Sequence, residues 1–399
     1  MQHFIKGKTY SAKSEQILGV LHFKFLMSLA LISILLTSTA FGSENNVNTS
    51  DNDSVFELNP IVPDLPASWA AAVSPKNNIF VTHRIGEVSK LDINGKLLAK
   101  YDLALSDLYY KGQGGLMAVA FHPNYTSNNW VYFSYSFGSD NANGLKVIRA
   151  NLQPNGTVEN KEVIFTQSSL RDTAVHYGAR LAFLPDTTLL ITTGDGFDYR
   201  ESAQVLTSQL GKVLRVTDTG LIPKDNPYAN SSNSNQAFVF SCGHRNPQGL
   251  IVLKNGQIVG HEHGPDGGDE VNIIERANNY GWPVITKGSD YIGSKISPFT
   301  EYEGMEQPKY NWTPSIAPSG MIYYSSNQLP KLTNKLLITS LKYQQLHVLT
   351  VNEGTVSKER VYFPNSGFRM RDITSSENGR VFILTDGTLA SLLELVIDN

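Results

Sequence analysis

One pattern recurs six times along this 399-residue chain and restricts the folds that it can adopt. Each copy has a short apolar strand, a turn with Pro, Asn, Asp or Gly, a second β-rich strand, a polar loop and a third strand. The copies begin at Ala71, Ala118, Arg180, Gly249, Gly320 and Asp372. No long stretch shows helical periodicity, and copies of about 60 residues have the size of decorated propeller blades. The sequence therefore predicts an all-β, six-bladed β-propeller, with a pair of β-sandwiches as the alternative.

The first 42 residues have the composition of a secretory signal peptide. Four lysines precede the apolar run Phe25–Leu36, which is too short to span a bilayer, and small residues follow it. The leader before this run is long, so Met27 competes with Met1 as the translation start. Residues 43–60 read as a polar leader, and residues 61–399 are assigned to the propeller.

Charge and cysteine content limit the partners and the compartment. Removing residues 1–42 takes away four Lys and one Glu, which changes the net charge from -3 to -6. No basic block indicates nucleic acid. The only cysteine, Cys242, lies far from the signal, so neither a lipoprotein anchor nor an internal disulfide is available. We expect a soluble protein, periplasmic or secreted, without a stable membrane anchor, and a monomer with a dimer as the alternative.

Unusual polar residues fall at two positions of the repeat. In a propeller blade, the start of the first strand and the end of the second lie at the same face of the disc, because the two strands are antiparallel. Residues at the first position are Gln113, His176, Arg245, Ser315, Arg369 and Arg371, and residues at the second are Asp195, His263 and Lys342. The pattern predicts that they meet at one mouth of the central channel.

The residue types at this mouth indicate two kinds of chemistry. His176 and Asp195 come from the two ends of one hairpin, which allows a carboxylate to orient an imidazole as a general base. The four cations, which are Lys342, Arg245, Arg369 and Arg371, suit a ligand with several carboxylates.

The stretch VGHEHGPDGGDE, residues 259–270, adds oxygen ligands. Its glycines allow a tight turn that would expose the carbonyls of Gly264 and Pro265 to a hard cation such as Ca²⁺. Glu270 would serve a second cation. Zinc fits less well, because HEHGP lacks a third well-placed His or Cys.

Each of these residues also has an ordinary structural explanation. A lone histidine before a strand is usually a hydrogen-bonded structural residue, and Arg245 could cap carbonyls in a turn. Lys342 could be a solvated edge residue that discourages strand pairing. The functional interpretation depends on their expected convergence at one face.

Several blocks of the chain resemble the soluble PQQ-dependent sugar dehydrogenases, and most closely the bacterial periplasmic aldose sugar dehydrogenases. The resemblance runs from about Leu65 to the C-terminus. It rests on GQGGLMAVAFHPNY, HYGARLAFLPD, TTGD, QLGKVLRVTDTGLIPKDNPY, GHRNPQGL, HEHGPDGGDEVNIIERANNYGWP, PSIAPSG, TSLK and FRMRDI. The long blocks are highly specific, whereas PSIAPSG or TSLK alone would not be.

The resemblance implies roles for matching residues. His176 would take the proton from the anomeric hydroxyl of an aldose, with Asp195 as its partner, while hydride passes from the sugar C1 to PQQ and a lactone forms. Arg245 would stabilise charge on the reacting quinone carbonyl. The implied contacts to PQQ are those of Lys342, Arg369 and Arg371, with Asn246 and Gln113 nearby. Carbonyls of Gly264 and Pro265 would bind the Ca²⁺ that also ligates PQQ, and Glu270 and Tyr280 match a second, structural Ca²⁺ site.

Two departures weaken any expectation of narrow glucose specificity. Val175 precedes the histidine where glucose dehydrogenases carry an acid, and His263 stands where they carry Gln. Two other functions stay open, a calcium-dependent lactonase on the same architecture and a non-catalytic binding propeller. The lactonase would need a carboxylate-and-Asn cation site in the channel, and the binding protein should have lost His176 or the cations. The electron acceptor is not identified by the sequence.

Overall fold

The computed structural model of the protein describes residues 56–352 and 354–398. Within these residues, six four-stranded antiparallel sheets form the blades of a β-propeller, which confirms the predicted architecture. No helix of this part is long and apolar enough to cross a membrane. The predicted signal peptide, residues 1–42, and the leader up to residue 55 lie outside the described residues.

Five blades are continuous in the chain, and the sixth combines its two ends. Blades 1 and 2 contain β2 (Ser68–Val73), β3 (Ile79–His83), β4 (Glu87–Leu91), β5 (Leu97–Asp102), β6 (Leu116–Phe121), β7 (Trp130–Ser139), β8 (Ala142–Leu152) and β9 (Val158–Thr166). Blades 3 and 4 contain β10 (Gly178–Phe183), β11 (Leu189–Thr193), β12 (Lys212–Val216), β13 (Val239–Cys242), β14 (Pro247–Val252), β15 (Ile258–Glu262), β16 (Asp269–Ile274) and β17 (Tyr310–Trp312). Blades 5 and 6 contain β18 (Pro318–Tyr324), β19 (Lys335–Ser340), β20 (Leu346–Asn352), β21 (Thr355–Tyr362), β22 (Met370–Ser375), β23 (Val381–Thr385), β24 (Leu389–Ile397) and β1 (Phe56–Pro66).

The described helices are short. They are α1 (Tyr125–Asn128), α2 (Ser234–Ala237) and two 3₁₀ turns, Arg200–Ala203 and Pro330–Leu332. The fourth, outer strand of each blade was not specified by the sequence repeat.

The repeat arises from one turn used in several blades. In four of the hairpins between the first and second strands, the fourth residue of the turn donates its N–H to the carbonyl of the first and has a positive φ. These residues are Asn77 (φ 57°), Thr187 (φ 69°), Gly256 (φ 85°) and Gly379 (φ 90°). The second strands that follow are apolar and wholly buried in blades 1, 3 and 6, because both faces of each are covered by neighbouring blades.

Hydroxyl groups connect neighbouring blades near the channel. Thr82 Oγ1 donates to the Met117 carbonyl at 2.6 Å, and Ser134 Oγ donates to that of Ala179 at 2.7 Å. Ser319 Oγ donates to the Met370 carbonyl at 2.6 Å. These bonds give a donor to buried main-chain carbonyls of the first strands. The second strand of the same blade does not supply that donor, because its N–H groups are used in the sheet ladder.

The N-terminal strand closes the ring. β1 pairs antiparallel with β24 from Phe56 opposite Ile397 to Pro66 opposite Leu389. Within the described residues, β1 starts at Phe56, five residues before the expected boundary at residue 61. Residues 56–60 read as part of a polar leader because Glu57, Asn59 and Pro60 face solvent, but Phe56 is buried in the core. Only the pairing partner identifies this stretch as a strand.

Candidate active site

His176 and Asp195 form a buried pair at the start of β10 and just after β11. Nδ1 of His176 lies 2.8 Å from Oδ1 of Asp195, and the two residues are 6% and 0% exposed. His176 has a positive φ of 52°, and its main-chain N–H donates to Oε1 of Gln113 at 2.8 Å. The hairpin thus brings together the two residues that the sequence placed at its ends.

The charge states of this pair follow from its surroundings. Burial raises the pKa of Asp195, but hydrogen bonds and the charges of His176 and Arg245 outweigh that effect and the pKa lies below its ordinary value. Burial lowers the pKa of His176 below 6.5, and Arg245 and Arg171 act in the same direction against Asp195. An ionised Asp195 only accepts hydrogen bonds, so Nδ1 of His176 carries the proton. Nε2 then presents a lone pair and makes no hydrogen bond within the described residues.

Two further donors hold the Asp195 carboxylate in place. Oδ2 accepts the indole N–H of Trp282 at 2.8 Å, and Oδ1 also accepts the main-chain N–H of Phe197 at 2.8 Å. The main-chain N–H of Asp195 donates to the Arg245 carbonyl at 2.8 Å. Because the carboxylate is fixed on both oxygens, it also fixes the orientation of the imidazole.

Arg245 lies beside this pair, on the turn before β14. Its guanidinium is 5.2 Å from the centre of the Trp282 ring, and Nη1 donates to the Gly264 carbonyl at 2.6 Å. Nη2 reaches the Tyr291 hydroxyl at 3.3 Å. Nε is buried and has no hydrogen-bond partner among the described residues. A buried cationic donor without an acceptor is suited to an anionic or carbonyl ligand.

The next residues continue the site toward blade 5. Asn246 is buried, and its side-chain oxygen accepts the N–H of Gly178 at 3.1 Å. Nε2 of His263 donates to the Pro318 carbonyl at 2.8 Å, and burial lowers the pKa of His263 to about 3. Its imidazole is therefore neutral and oriented by the first strand of blade 5.

Asp269 fixes the turn that carries the expected carbonyl ligands. Oδ1 accepts the Gly264 N–H at 2.8 Å, and Oδ2 accepts the hydroxyl of Ser315 at 2.7 Å. The expected outward carbonyl of Gly264 accepts a hydrogen bond from Arg245 instead of being free, although a carbonyl oxygen has a second lone pair. Pro265 is buried in the same turn. Ser315 therefore supports this turn, which its sequence position alone did not indicate.

The remaining cations form the edge of the site, which we call the cation rim and define as Lys342, Arg369 and Arg371; the first two are exposed, whereas the Arg371 side chain is only 12% exposed. Lys342 is exposed and its main-chain N–H donates to the Ile316 carbonyl at 3.1 Å. Arg369 pairs with Asp386 at 2.9 Å, and Arg371 lies 3.5 Å from the same carboxylate. Nη1 of Arg371 also donates to Oε1 of Gln248 at 3.3 Å.

Asp386 corrects the expected charge of this rim. Burial raises its pKa, but Arg371 and Arg369 outweigh burial and hold the pKa below its ordinary value. The carboxylate thus offsets one of the two guanidinium charges. The sequence predicts four cations at the mouth but gives no sign that this acid lies beside two of them.

Glu270 on β16 and Tyr280 in the loop after β16 lie in a second group, together with Glu262 and His244. Glu270 pairs across the strands with Glu262, whose carboxylate accepts from Nδ1 of His244 at 3.0 Å. The Tyr280 ring stacks on His244 with ring centres 4.8 Å apart, and its hydroxyl donates to the Ile273 carbonyl at 2.7 Å. Burial raises the pKa of Glu270, and the charge of Glu262 adds to this effect.

The described residues contain no group of three or more His, Cys, Asp or Glu side chains arranged to hold a metal ion. A cation at either turn would therefore need main-chain oxygens in addition to side chains. Glu262 and Glu270, two neighbouring carboxylates, are a pair that a cation would stabilise. The hydroxyl of Tyr280 is already occupied by main-chain groups, which leaves its carbonyl as the available ligand.

Sequence reasoning missed several residues that contribute to the site. Trp282 contacts both Asp195 and Arg245. Phe197 makes an edge contact with the His176 ring at 5.2 Å and lies nearly parallel to Tyr291. Phe197 lies two residues after the TTGD block and Trp282 near the end of the block that closes with YGWP, but neither block gives a reason to place an aromatic ring beside His176.

A continuous series of contacts connects Gln113, His176, Asp195, Arg245, Gly264, Ser315 and Arg371. The structure thus brings residues separated by more than 250 positions in the chain to one mouth of the propeller. An oriented, neutral imidazole next to a buried cation is an arrangement that enzymes use to remove a proton from a polar substrate.

The comparisons with known proteins agree with this class. The family model described as Glucose / Sorbosone dehydrogenase matches residues 65–394, and the chain belongs to this family. Aldose sugar dehydrogenase YliI of Escherichia coli is 36% identical over 334 residues, which cover 82% of this chain and 89% of that protein. Quinoprotein glucose dehydrogenase B of Acinetobacter calcoaceticus is 25% identical over 437 residues, covering 90% and 89% of the two chains. The crystal structure of the soluble E. coli aldose sugar dehydrogenase in its apo form superposes with a TM-score of 0.81 at 33% identity, covering 86% of this chain and all of that one.

Proposed function

We propose that this protein oxidises aldoses at C1 to the corresponding lactones, in a reaction that depends on PQQ and Ca²⁺ and uses His176 as the general base. The observation that carries the proposal is the buried His176–Asp195 pair, at 2.8 Å, beside an arginine whose Nε has no partner in the described part of the chain. The family supplies the substrate class, since the relatives are named as aldose sugar and glucose dehydrogenases.

The base acts through its Nε2 atom. Nδ1–H is held by Asp195, so the lone pair of Nε2 is available to accept the proton of the anomeric hydroxyl. As that O–H bond breaks, the C1–O bond becomes a carbonyl and the hydrogen on C1 leaves with its electron pair. The imidazolium that forms is stabilised by the Asp195 carboxylate, which keeps its charge.

The residues at the mouth fit the implied cofactor. When bound, PQQ would supply the two-electron acceptor for the C1 hydride, with Ca²⁺ as a Lewis acid on it. Arg245 would donate its free Nε–H to a carbonyl oxygen, and the cation rim would hold carboxylates. The remaining neighbours would add hydrogen bonds; they are Gln113, Asn246, His263 and Ser315.

Two calcium sites follow from the oxygen groups. We assign the cofactor calcium to the carbonyls of Gly264 and Pro265, whose turn is fixed by Asp269. We assign a structural calcium to Glu270 with the Tyr280 carbonyl, next to Glu262. Hard cations prefer such oxygen ligands.

The proposal includes an exported location. Residues 1–42 would be removed as a signal peptide, and oxidation would take place in the periplasm or outside the cell. Electrons would then pass to an external acceptor that the residues do not identify.

Reconstitution tests the function directly. The purified cofactor-free protein is mixed with PQQ and Ca²⁺, and reduction of an artificial dye is followed with a panel of aldoses. We expect turnover with several aldoses, none with sugars blocked at C1, and none without PQQ. Dye reduction that is equal with aldoses and with their C1-blocked glycosides would contradict oxidation at C1.

A further inference from the structure

Arg171 is a buried cation that the proposed reaction does not use. It lies between β9 and β10, is 2% exposed, and exchanges two main-chain hydrogen bonds with Asn143. Its guanidinium is 4.2 Å from the centre of the Tyr177 ring, and Nη1 donates to Oε1 of Gln167 at 3.3 Å. Nε and Nη2 have no hydrogen-bond partner among the described residues. Such an arrangement costs stability, because a buried charge is poorly solvated.

Arg171 contacts the residues that directly follow His176 and Asp195 in the chain. Tyr177, under the guanidinium, directly follows His176, and Gly196 directly follows Asp195. Gly196 has a φ of 72°, and a Cβ atom there would lie 2.4 Å from Cδ of Arg171, so the main chain rests on this side chain. The hydroxyl of Thr173 donates to the Gly196 carbonyl at 2.6 Å and holds the same loop.

We propose that Arg171 is a positioning residue for His176: its side chain supports the loop that carries Asp195 and the ring of Tyr177 next to the base, and its charge adds to the effect of burial on the imidazole. The inference rests on the proposed role of His176. It explains why a cation with two unused N–H groups is buried at this point of the fold. We attribute the retention of this stability cost to the unprotonated form of His176, which it favours and which alone accepts a proton.

The electrostatic balance around His176 supports this role. The charged and titratable groups that face it are the Asp195 carboxylate, the guanidinium groups of Arg245 and Arg171, and the imidazole of His263. Burial lowers the pKa of Arg171, but only to about 10, so it stays charged at neutral pH. Burial is the largest cause of the lowered pKa of His176; Arg245 and, more weakly, Arg171 act in the same direction, whereas the hydrogen bond and charge of Asp195 oppose it.

The test separates charge from packing. Arg171→Met keeps an unbranched apolar stem and removes the charge, Arg171→Gln is a second neutral variant, and Arg171→Lys keeps the charge. The His176 ring is titrated by NMR in cofactor-free protein, with its signal assigned by comparison with His176→Gln. We expect both neutral variants to raise the pKa of His176 by roughly one unit at most, because Asp195 and Arg245 act on the imidazole more strongly than Arg171 does, and the lysine variant to stay close to wild type.

Two further readouts sharpen the result. Arg171→Met should melt at the wild-type temperature or above, because an uncompensated buried charge is lost. In the PQQ-loaded enzyme, the acid limb of kcat/KM should move to higher pH by the same amount as the NMR pKa, since the protonated base is inactive.

An unchanged His176 titration in the neutral variants would overturn the inference, and a lower melting temperature with that result would leave Arg171 a packing residue. The titration uses neither cofactor nor sugar. A wild-type protein that oxidises no aldose would therefore refute the proposed function without altering the outcome for Arg171.

Discussion

The His176–Asp195 pair and the cation rim occupy the same mouth of the propeller but differ in how they are held. His176 and Asp195 are buried, and two additional donors, the indole N–H of Trp282 and the main-chain N–H of Phe197, fix the carboxylate. Lys342 and Arg369 are exposed, and Arg369 shares Asp386 with Arg371. A buried group is oriented by the protein before any ligand arrives, whereas an exposed charge gains a defined partner only from the ligand. The first region should therefore control the rate and the second the affinity.

The largest effect on catalysis is expected when His176 is replaced. His176→Ala removes the proton acceptor and should lower kcat by roughly 10²–10⁴-fold, the usual contribution of a positioned base. PQQ should still bind with near wild-type affinity, since the cation rim is intact. Steady-state kinetics and a PQQ titration of the cofactor-free protein measure the two quantities. Near-normal turnover in this variant would remove His176 from the mechanism.

A second experiment tests whether the cation rim controls the affinity for PQQ. Arg371→Ala should weaken PQQ binding by about 1.5–3 kcal/mol, the value of a hydrogen bond to a charged group, which is roughly 10- to 100-fold. Arg369→Ala and Lys342→Ala should have smaller effects of the same kind, because their charges are screened by solvent. Lys96→Ala, on a surface turn of blade 1, is the matched control. An unchanged PQQ affinity together with a raised sugar KM would mean that the rim binds the substrate instead.

A third experiment concerns the second acidic pair, Glu262 and Glu270. With chelator, Glu270→Gln should melt at or above the wild-type temperature, because the raised pKa of Glu270 reflects an unfavourable buried charge beside Glu262. In calcium the order should reverse, since a ligand that binds only the folded state stabilises by mass action, about 2.7 kcal/mol at 100 times Kd. Thermal melts of both proteins decide this, with Glu303→Gln as an exposed control. If wild type and variant gain equally from calcium, Glu270 does not bind it.

The smallest effect on catalysis is expected at a histidine of the scaffold. Burial lowers the pKa of His83 to about 4, and its ring nitrogens contact the hydroxyls of Ser68 and Ser89. Between pH 6.5 and 4 the unfolded chain binds a proton at this residue that the folded protein does not, so stability falls as the pH falls. His83→Gln should flatten this dependence in urea unfolding curves and leave the acid limb of kcat/KM in place. If the acid limb of kcat/KM shifts in this variant, the titration of His83, and not that of His176 alone, controls the reaction.

His176 and the cations show how much of the site can be predicted from the sequence. Strand alternation and turn residues are local properties, so the six copies, their first strands and the common face of His176, Asp195 and Arg245 could be derived from them. The resemblance added the family, which the match over residues 65–394 confirms. The roles of the site residues stay predictions.

The missed features all depend on distant partners. Residues 56–60 became a strand only by pairing with β24 at the other end of the chain. Trp282 and Asp386 act through contacts with residues 87 and 17 positions away, and no local pattern marks such contacts. Arg171 is an ordinary loop arginine in the sequence; only its enclosure in the folded protein leaves two of its N–H groups without a hydrogen-bond partner among the described residues.

The sequence by itself determined the blade repeat and the chemical groups at the mouth, because hydrophobic periodicity and turn chemistry act over a few residues. Tertiary structure alone decided which charges are neutralised, which N–H groups are left without acceptors and which tautomer His176 adopts. Those properties depend on burial and on distances between groups from different blades, and electrostatic energies change steeply with both.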